Sequence, residues 1–208
     1  MSHTLGLRQA QKQKTRQALL DAALGLLEEQ SLSSLGLREV TRAVGVAPTA
    51  FYRHFRSTAD LGVELVEAAL GSLHPMIDST VAAAGDSEER IARAVDLIAH
   101  HVDAYPAHVR FIARERHGGV QPVREAIRRQ LARFAEEVQV ALAGHPESAG
   151  WSEEDLLMLA GLYVDQMLAT ANQFLEAMEG PADERDRVAR SAAQRLRLIS
   201  LGRHHWKS

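Results

Sequence analysis

The sequence predicts an all-α protein, and three observations carry that prediction. Ala (33) and Leu (26) far outnumber Val (15) and Ile (6) among 208 residues. Small and unbranched side chains lose little rotamer freedom in a helix, whereas β-branched ones favour strands. Aromatic residues make up only 5% and prolines number six, a composition that disfavours a β-sandwich. Apolar residues recur at helical spacing along most of the chain, as amphipathic helices require.

In order, residues 12–30 read as a first helix, with Leu20, Ala23, Leu24 and Leu27 on one stripe. Ser31 to Gly36 interrupts it. A short second helix puts Leu37, Val40 and Val44 on one face and stops at Gly45, a residue suited to a left-handed helix terminus. Pro48 fits the first turn of a third helix, where its missing N–H costs nothing, and Phe51 and Phe55 face inward one turn apart. Ser57 or Thr58 caps a fourth helix that runs to about Leu73, ahead of His74–Pro75. A loop and cap cover 82–87. Helical patterns then span about 87–104, 107–115, 122–142, 153–178 and 183–201. The breaks are Pro106, His117–Gly119, residues 144–151 and Gly180–Pro181, and Ser152 with Asp155 three positions on forms a cap.

Several function classes are excluded. With no cysteine, the chain has no disulfide, thiolate zinc site or cysteine nucleophile. HExxH, P-loop, GxGxxG and GxSxG patterns are absent, so no catalytic residue, enzyme activity or cofactor is expected. The pairs His100–His101 and His204–His205 are sequence neighbours, which point apart on a helix, so no metal site is expected. The longest strongly apolar run, Leu156 to Val164, is far short of the ~20 residues a bilayer needs. The N-terminus has no apolar signal segment, and the expected location is the cytoplasm, with no membrane partner.

Charge is unevenly divided. Residues 1–56 hold eight Lys or Arg and four acids, while the remainder holds 16 basic and 23 acidic residues. A basic head on an acidic body suits a head that meets a polyanion. Within that head, residues 37–55 (LREVTRAVGVAPTAFYRHF) have the spacing of a helix-turn-helix, with the turn at Gly45. Burying Phe51 and Phe55 leaves Thr49, Tyr52, Arg53 and His54 on the other side of the third helix. That face has donors and no acid, so it can approach phosphates and base edges without repulsion.

These residues resemble the TetR family of repressors: the LREVTRAVGV segment, the FYRHF helix and the helix ahead of them all match its DNA-binding domain. RQAQKQKTRQALLDAA, APTAFYRHFRSTADLG, RFIARERHGG and LRLISLGRHHW are similar to the FabR/DesT group, regulators of unsaturated fatty-acid synthesis. Two positions depart from the family pattern. Gly36 stands where a Ser or Thr cap is common, and Thr41 stands where Ala is common, bonding its own helix or touching phosphate. The resemblance implies a DNA-binding domain over 1–57, with 1–11 as a flexible basic arm, and a ligand-binding and dimerisation domain over 58–208. It also implies that Tyr52 and His54 contact phosphates, that Thr49 and Arg53 lie nearest the bases, and that Arg8, Lys12 and Lys14 lie along the backbone or minor groove. Arg38 completes the expected DNA set.

In the body, residues 153–178 are apolar on two sides. Leu157, Gly161, Val164 and Leu168 mark the second side, and Val188, Ala192, Leu196 and Ile199 form a stripe on the final helix. These eight are the expected homodimer interface, a four-helix bundle across a two-fold axis; the alternative is a monomer with both faces in its core. A dimer reads a pseudo-palindromic operator in double-stranded DNA. Residues 110–133 hold seven Arg and two acids. They either bridge to the first domain, or simply charge the surface, or form an anion site beside an apolar cavity. In the last case Arg110, Arg114, Arg116, Arg124 and Arg128 would meet the phosphates of a long-chain acyl-CoA. Phe111, Leu131, Phe134, Tyr163, Met167 and Phe174 would then line its tail; otherwise they are packed core. The expected function is a repressor of unsaturated fatty-acid synthesis genes that responds to acyl-CoA saturation. The alternative is a TetR-type repressor of a hydrophobic drug or metabolite, controlling efflux or catabolic genes.

Overall fold

The computed structural model describes residues 2–81 and 86–205, apart from the side chains of 2–8, 78–81, 204 and 205. The described residues form helices α1 (Ser2–Leu26), α2 (Leu37–Val44), α3 (Pro48–Phe51), α4 (Thr58–Gly71) and α5 (His74–Val81). These are followed by α6 (Ser87–Ala104), α7 (Pro106–Glu115), α8 (Gln121–Ala143), α9 (Glu153–Ala177) and α10 (Glu184–His205), with a 3-10 turn at Pro146–Ser148. No strand occurs among the described residues, and the all-α expectation holds.

The caps follow from side-chain chemistry. Ser57 Oγ accepts the Asp60 N–H at 3.1 Å while Asp60 accepts the Arg56 N–H at 2.9 Å, closing the start of α4. Ser152 Oγ accepts the Asp155 N–H at 3.1 Å and so starts α9, as its spacing predicts. Asp86 accepts the Glu89 N–H at 2.9 Å ahead of α6. The loop expected over 82–87 otherwise lies largely outside the described residues. Two elements differ from expectation. Residues 2–11, expected as a flexible arm, continue α1. α4 ends at Gly71, ahead of His74–Pro75 as expected, but His74–Pro75 also begins an unexpected helix, α5, because a proline in a first turn has no intrahelical N–H to lose.

The chain divides into two compact units, Met1–Ala69 with Arg110–Ile127, and Leu70–Val109 with Arg128–Ser208. The first unit is therefore discontinuous, whereas the sequence suggests a break near residue 57. Leu19, Ala23, Leu32, Val40, Phe51, Phe55 and Leu61 are buried in it, along with Phe111, Ile112, Val123 and Ile127 from the later segment. Arg114 donates to the carbonyls of Leu27 (2.7 Å), Gln30 (2.6 Å) and Glu28 (3.2 Å), which follow the end of α1 and have no helical partner. Glu115, 1% exposed, accepts the Leu32 N–H at 2.8 Å. Arg124 donates to the Gly118 carbonyl at 2.5 Å.

In the second unit α6, α9 and α10 share a core of Val95, Val102, Phe174, Val188, Ala192 and Leu196, against which Tyr163 and Met167 pack. A second cluster joins Leu142, Leu156, Leu159 and Ala160, with Trp151, Val164 and Ile199 at its edge. Val188, Ala192 and Leu196 are thus core residues of the chain itself, which corrects their assignment to the dimer interface. The final helix turns this stripe inward onto α6 and α9. Its exposed apolar residues are Leu198 and Leu201.

A side chain at Gly118 would run into the Glu115 carboxylate and backbone. Gly118→Ala is therefore expected to push the carboxylate off the Leu32 N–H and destabilise the protein by about 1–3 kcal/mol, read from the midpoint of urea unfolding.

Candidate nucleic-acid interface

The helix-turn-helix is built by short-range constraints. Gly36 opens α2 without a side-chain cap, and Gly45 closes it at φ 75° and ψ 29°, a left-handed conformation that glycine adopts without steric cost. The Val46 N–H returns to the Thr41 carbonyl at 3.0 Å, reversing the chain within two residues. Pro48 then begins α3, with Ala47 as the N-cap. After Phe51 the backbone continues in a tightened turn, with Arg53 N–H to Ala50 O at 3.2 Å and His54 N–H to Phe51 O at 2.9 Å. The rings of Phe51 and Phe55 meet at 5.4 Å between centroids, both buried. Phe55 also carries the Arg16 guanidinium over its ring at 5.1 Å, and Arg16 pairs with Glu64 at 2.7 Å.

Anchoring the two phenylalanines fixes what faces outward. Tyr52 is 64% exposed, Thr49 and Arg53 are exposed, and His54 is half-buried. Arg38 and Arg42, one turn apart on α2, are exposed, as are Lys12 and Lys14 on α1; the side chain of Arg8 lies outside the described residues. Arg42 was not among the expected DNA-facing residues, although its spacing from Arg38 places both on one helix face. The acid of this segment, Glu39, is engaged by the Gln30 amide at 2.9 Å. Thr41 is buried and donates to the Arg38 carbonyl at 3.3 Å, so its hydroxyl serves its own helix and not a phosphate. Burial, then the charges of Lys12, Arg16 and Arg53, hold the His54 imidazole below its ordinary pKa, and its buried Nδ1 has no hydrogen-bond partner. The surface is thus cationic and donor-rich, with a neutral imidazole at its edge.

The residues expected around a ligand are less well gathered. Arg110 pairs with Glu28 at 3.1 Å, and Arg114 and Arg124 are committed to backbone carbonyls. Of the alternatives left open above, bridging to the expected first domain is the one that accounts for Arg110 and Arg114, whose partners Glu28, Leu27 and Gln30 lie within residues 1–57. Arg116 is half-buried and Arg128 exposed. Phe111 is buried within the first unit. In the second unit Tyr163 and Met167 pack on the cluster that holds Phe174. Phe134 instead meets the His74 ring, tilted at 51° and 4.5 Å between centroids, and Leu131 is half-buried. Of the expected interface, Leu157 is exposed, while Gly161, Val164, Leu168 and Ile199 are half-buried.

Residues 19–65 match the model of a family described as bacterial regulatory proteins, tetR family. Over this span the chain is similar to the tetR family. The matched span takes in the end of α1, all of α2 and α3 and the first half of α4, the elements that build the surface just described. The fold has solved counterparts over most of the chain's length. The fatty acid degradation regulator FadR from Bacillus halodurans is similar at TM-score 0.70, with 17% identity, over 87% of this chain and 93% of that one. FadR from Bacillus subtilis, solved in complex with stearoyl-CoA, is similar at TM-score 0.69, with 13% identity, over 88% and 96%. Reduced NemR from E. coli is similar at TM-score 0.64, with 20% identity, over 89% and 96%. At these identities the likeness is one of fold.

Arg53→Ala is expected to cost about 1–3 kcal/mol of operator binding and relax specificity at one base pair, as loss of a base contact does. Tyr52→Ala is expected to weaken all sequences about equally. Gel shifts over a panel of single-base operator variants separate the two patterns, and undiminished binding by the double variant would exclude this surface as the reader.

Proposed function

We propose that this chain is a homodimeric repressor of unsaturated fatty-acid synthesis genes whose DNA-binding form is biased by long-chain acyl-CoA. The observation that carries the DNA-binding half is the exposed face formed by Thr49, Tyr52 and Arg53 over buried Phe51 and Phe55, with Arg38 and Arg42 beside it. The acyl-ligand half is supported by the RERHGG likeness to the FabR/DesT group and by the fold shared with a FadR solved with stearoyl-CoA. Tyr163, Met167 and Phe174 offer an apolar surround for a tail.

One recognition helix covers too few base pairs to specify a site, so a two-fold pair reading a pseudo-palindrome is the natural assembly. Leu157, Met158 and Leu162 on α9 and Leu198 and Leu201 on α10 are large apolar side chains left in solvent. With Gly161 and Gly202 interleaved, they are the face we assign to the partner copy. Leu157→Glu with Leu198→Glu is expected to halve the mass seen in sedimentation and abolish full-operator binding together. A dimer that survives both substitutions would move the interface elsewhere.

A saturated and a cis-unsaturated tail have nearly equal apolar area, so they differ for the protein in shape rather than in hydrophobic gain. Shape selects between two packings only if the ligand binds them unequally, and the effect is then reciprocal with DNA. Calorimetric titration of palmitoyl-CoA and oleoyl-CoA, with and without operator, is expected to show operator changing the affinity for one tail more than the other. Identical coupling for both, or no binding, would leave a tetR-type regulator of another ligand.

A further inference from the structure

We propose that His54 takes up a proton from solvent when DNA phosphates dock beside it, so that the grip on DNA tightens as pH falls. The proposal rests on the DNA-binding reading above and gives one residue of that surface a chemical role. His54 lies in the tightened turn after α3, where its N–H returns to the Phe51 carbonyl at 2.9 Å. The buried rings of Phe51 and Phe55 anchor that turn on either side, and the imidazole sits 6.4 Å from the Phe55 ring between centroids. The ring is half-buried, and its Nδ1 is buried with no hydrogen-bond partner. It is therefore a fixed group at the rim of the exposed face formed by Thr49, Tyr52 and Arg53.

Cations from two segments act on this ring. Lys12 and Arg16 stand one turn apart on α1, and Arg53 is its neighbour in the chain. Lys12 and Arg53 are exposed. Arg16 is held in place, with its guanidinium over the Phe55 ring at 5.1 Å and paired with Glu64 of α4 at 2.7 Å. Among the described residues the charges that act on His54 are all positive. Burial first, and these cations after it, favour the neutral imidazole in the free protein. Docked DNA changes the second cause and not the first. A duplex carries a negative charge for about every 1.7 Å of its axis. Phosphates settling among Lys12, Arg16 and Arg53 cancel the field that opposes the imidazolium and add one that favours it. Docking also strips water from the ring, which acts the other way. Much of that desolvation is already present, since Nδ1 is buried without DNA, whereas the charge around the ring reverses sign. The reversal wins, and the complex holds more protons than the free protein.

The sign follows from linkage. His54 has the lower pKa in the free protein and the higher one in the complex. Affinity is therefore greatest below the free value, falls as pH rises from the free value to the bound one, and is flat above both. The test uses the full chain and a duplex enriched from a random-sequence library by rounds of binding to it. Calorimetric titration at fixed salt, in buffers of different ionisation enthalpy between about pH 5 and 8, counts the protons taken up. Uptake approaching about one proton per bound protomer is expected, with affinity falling by up to about ten-fold per pH unit. His54→Gln keeps a polar side chain that does not titrate, and it should abolish the uptake and flatten the pH dependence. A histidine that only fills space would weaken binding on substitution and leave the proton count unmoved. If His54→Gln does not fold, the exposed Lys12→Gln decides: with one opposing cation gone, the free ring keeps its proton to higher pH and the uptake shrinks. Binding of the selected duplex without uptake, or uptake unchanged in either folded variant, overturns the proposal while the DNA-binding reading stands. Failure to enrich any duplex overturns both.

Discussion

The helix-turn-helix unit depends on two side chains that enter from more than eighty residues away. Arg114 and Glu115 are adjacent in sequence and close the segment between α1 and α2, one from the donor side and one from the acceptor side. The carbonyls after α1 are a partial negative pole, which a guanidinium neutralises. The Leu32 N–H is a buried donor, which a carboxylate satisfies. Leu32 itself is buried, and Gly62 of α4 leaves room for it and for Val123. With that segment held, α1 and α2 pack together and α3 has a base. The cationic face is therefore a product of the discontinuous unit and not of residues 37–55 alone.

Polarity on α3 follows from the same economy of space. The helix proper is one turn long, too short to be stable by its own hydrogen bonds. Its geometry is set by Pro48 at the start, by Gly45 reversing the chain before it and by two buried aromatic rings. Once Phe51 and Phe55 point inward, Tyr52 and Arg53 must point outward. Rigid placement matters here, because direct readout demands donors held in register with base edges.

Much of this was legible in the sequence. Helical spacing marked nearly every element, and Gly45, Pro48, Ser57, Ser152 and the Phe51–Phe55 pair act in the structure as their chemistry suggests. What stayed hidden involved choices that spacing does not make. Pro75 is equally good evidence for a helix end and a helix start; α4 does end ahead of it, and α5, which the end alone does not announce, begins there too. The stripe Val188, Ala192, Leu196 and Ile199 shows that α10 is amphipathic but not which neighbour its apolar face meets; three of the four residues meet the protomer's own core. A run of arginines near an acid looks alike whether the arginines await a phosphate or already hold a helix end. The role of Glu115 could not be read locally, since its partner is a backbone N–H eighty-three positions away.

The closure of the first unit also sets what it would cost to disturb the cationic face. Allosteric coupling is typically about 1–3 kcal/mol. A hydrogen bond to a charged group contributes about 1.5–3 kcal/mol, and parting Glu115 from the Leu32 N–H would lose it. The Arg114 bonds add to this, though less, because that side chain is exposed. Opening the closure would therefore consume as much free energy as a typical effector supplies, or more. A change that leaves these contacts intact keeps the first unit closed, and Arg114 and Glu115 are committed to keeping it so.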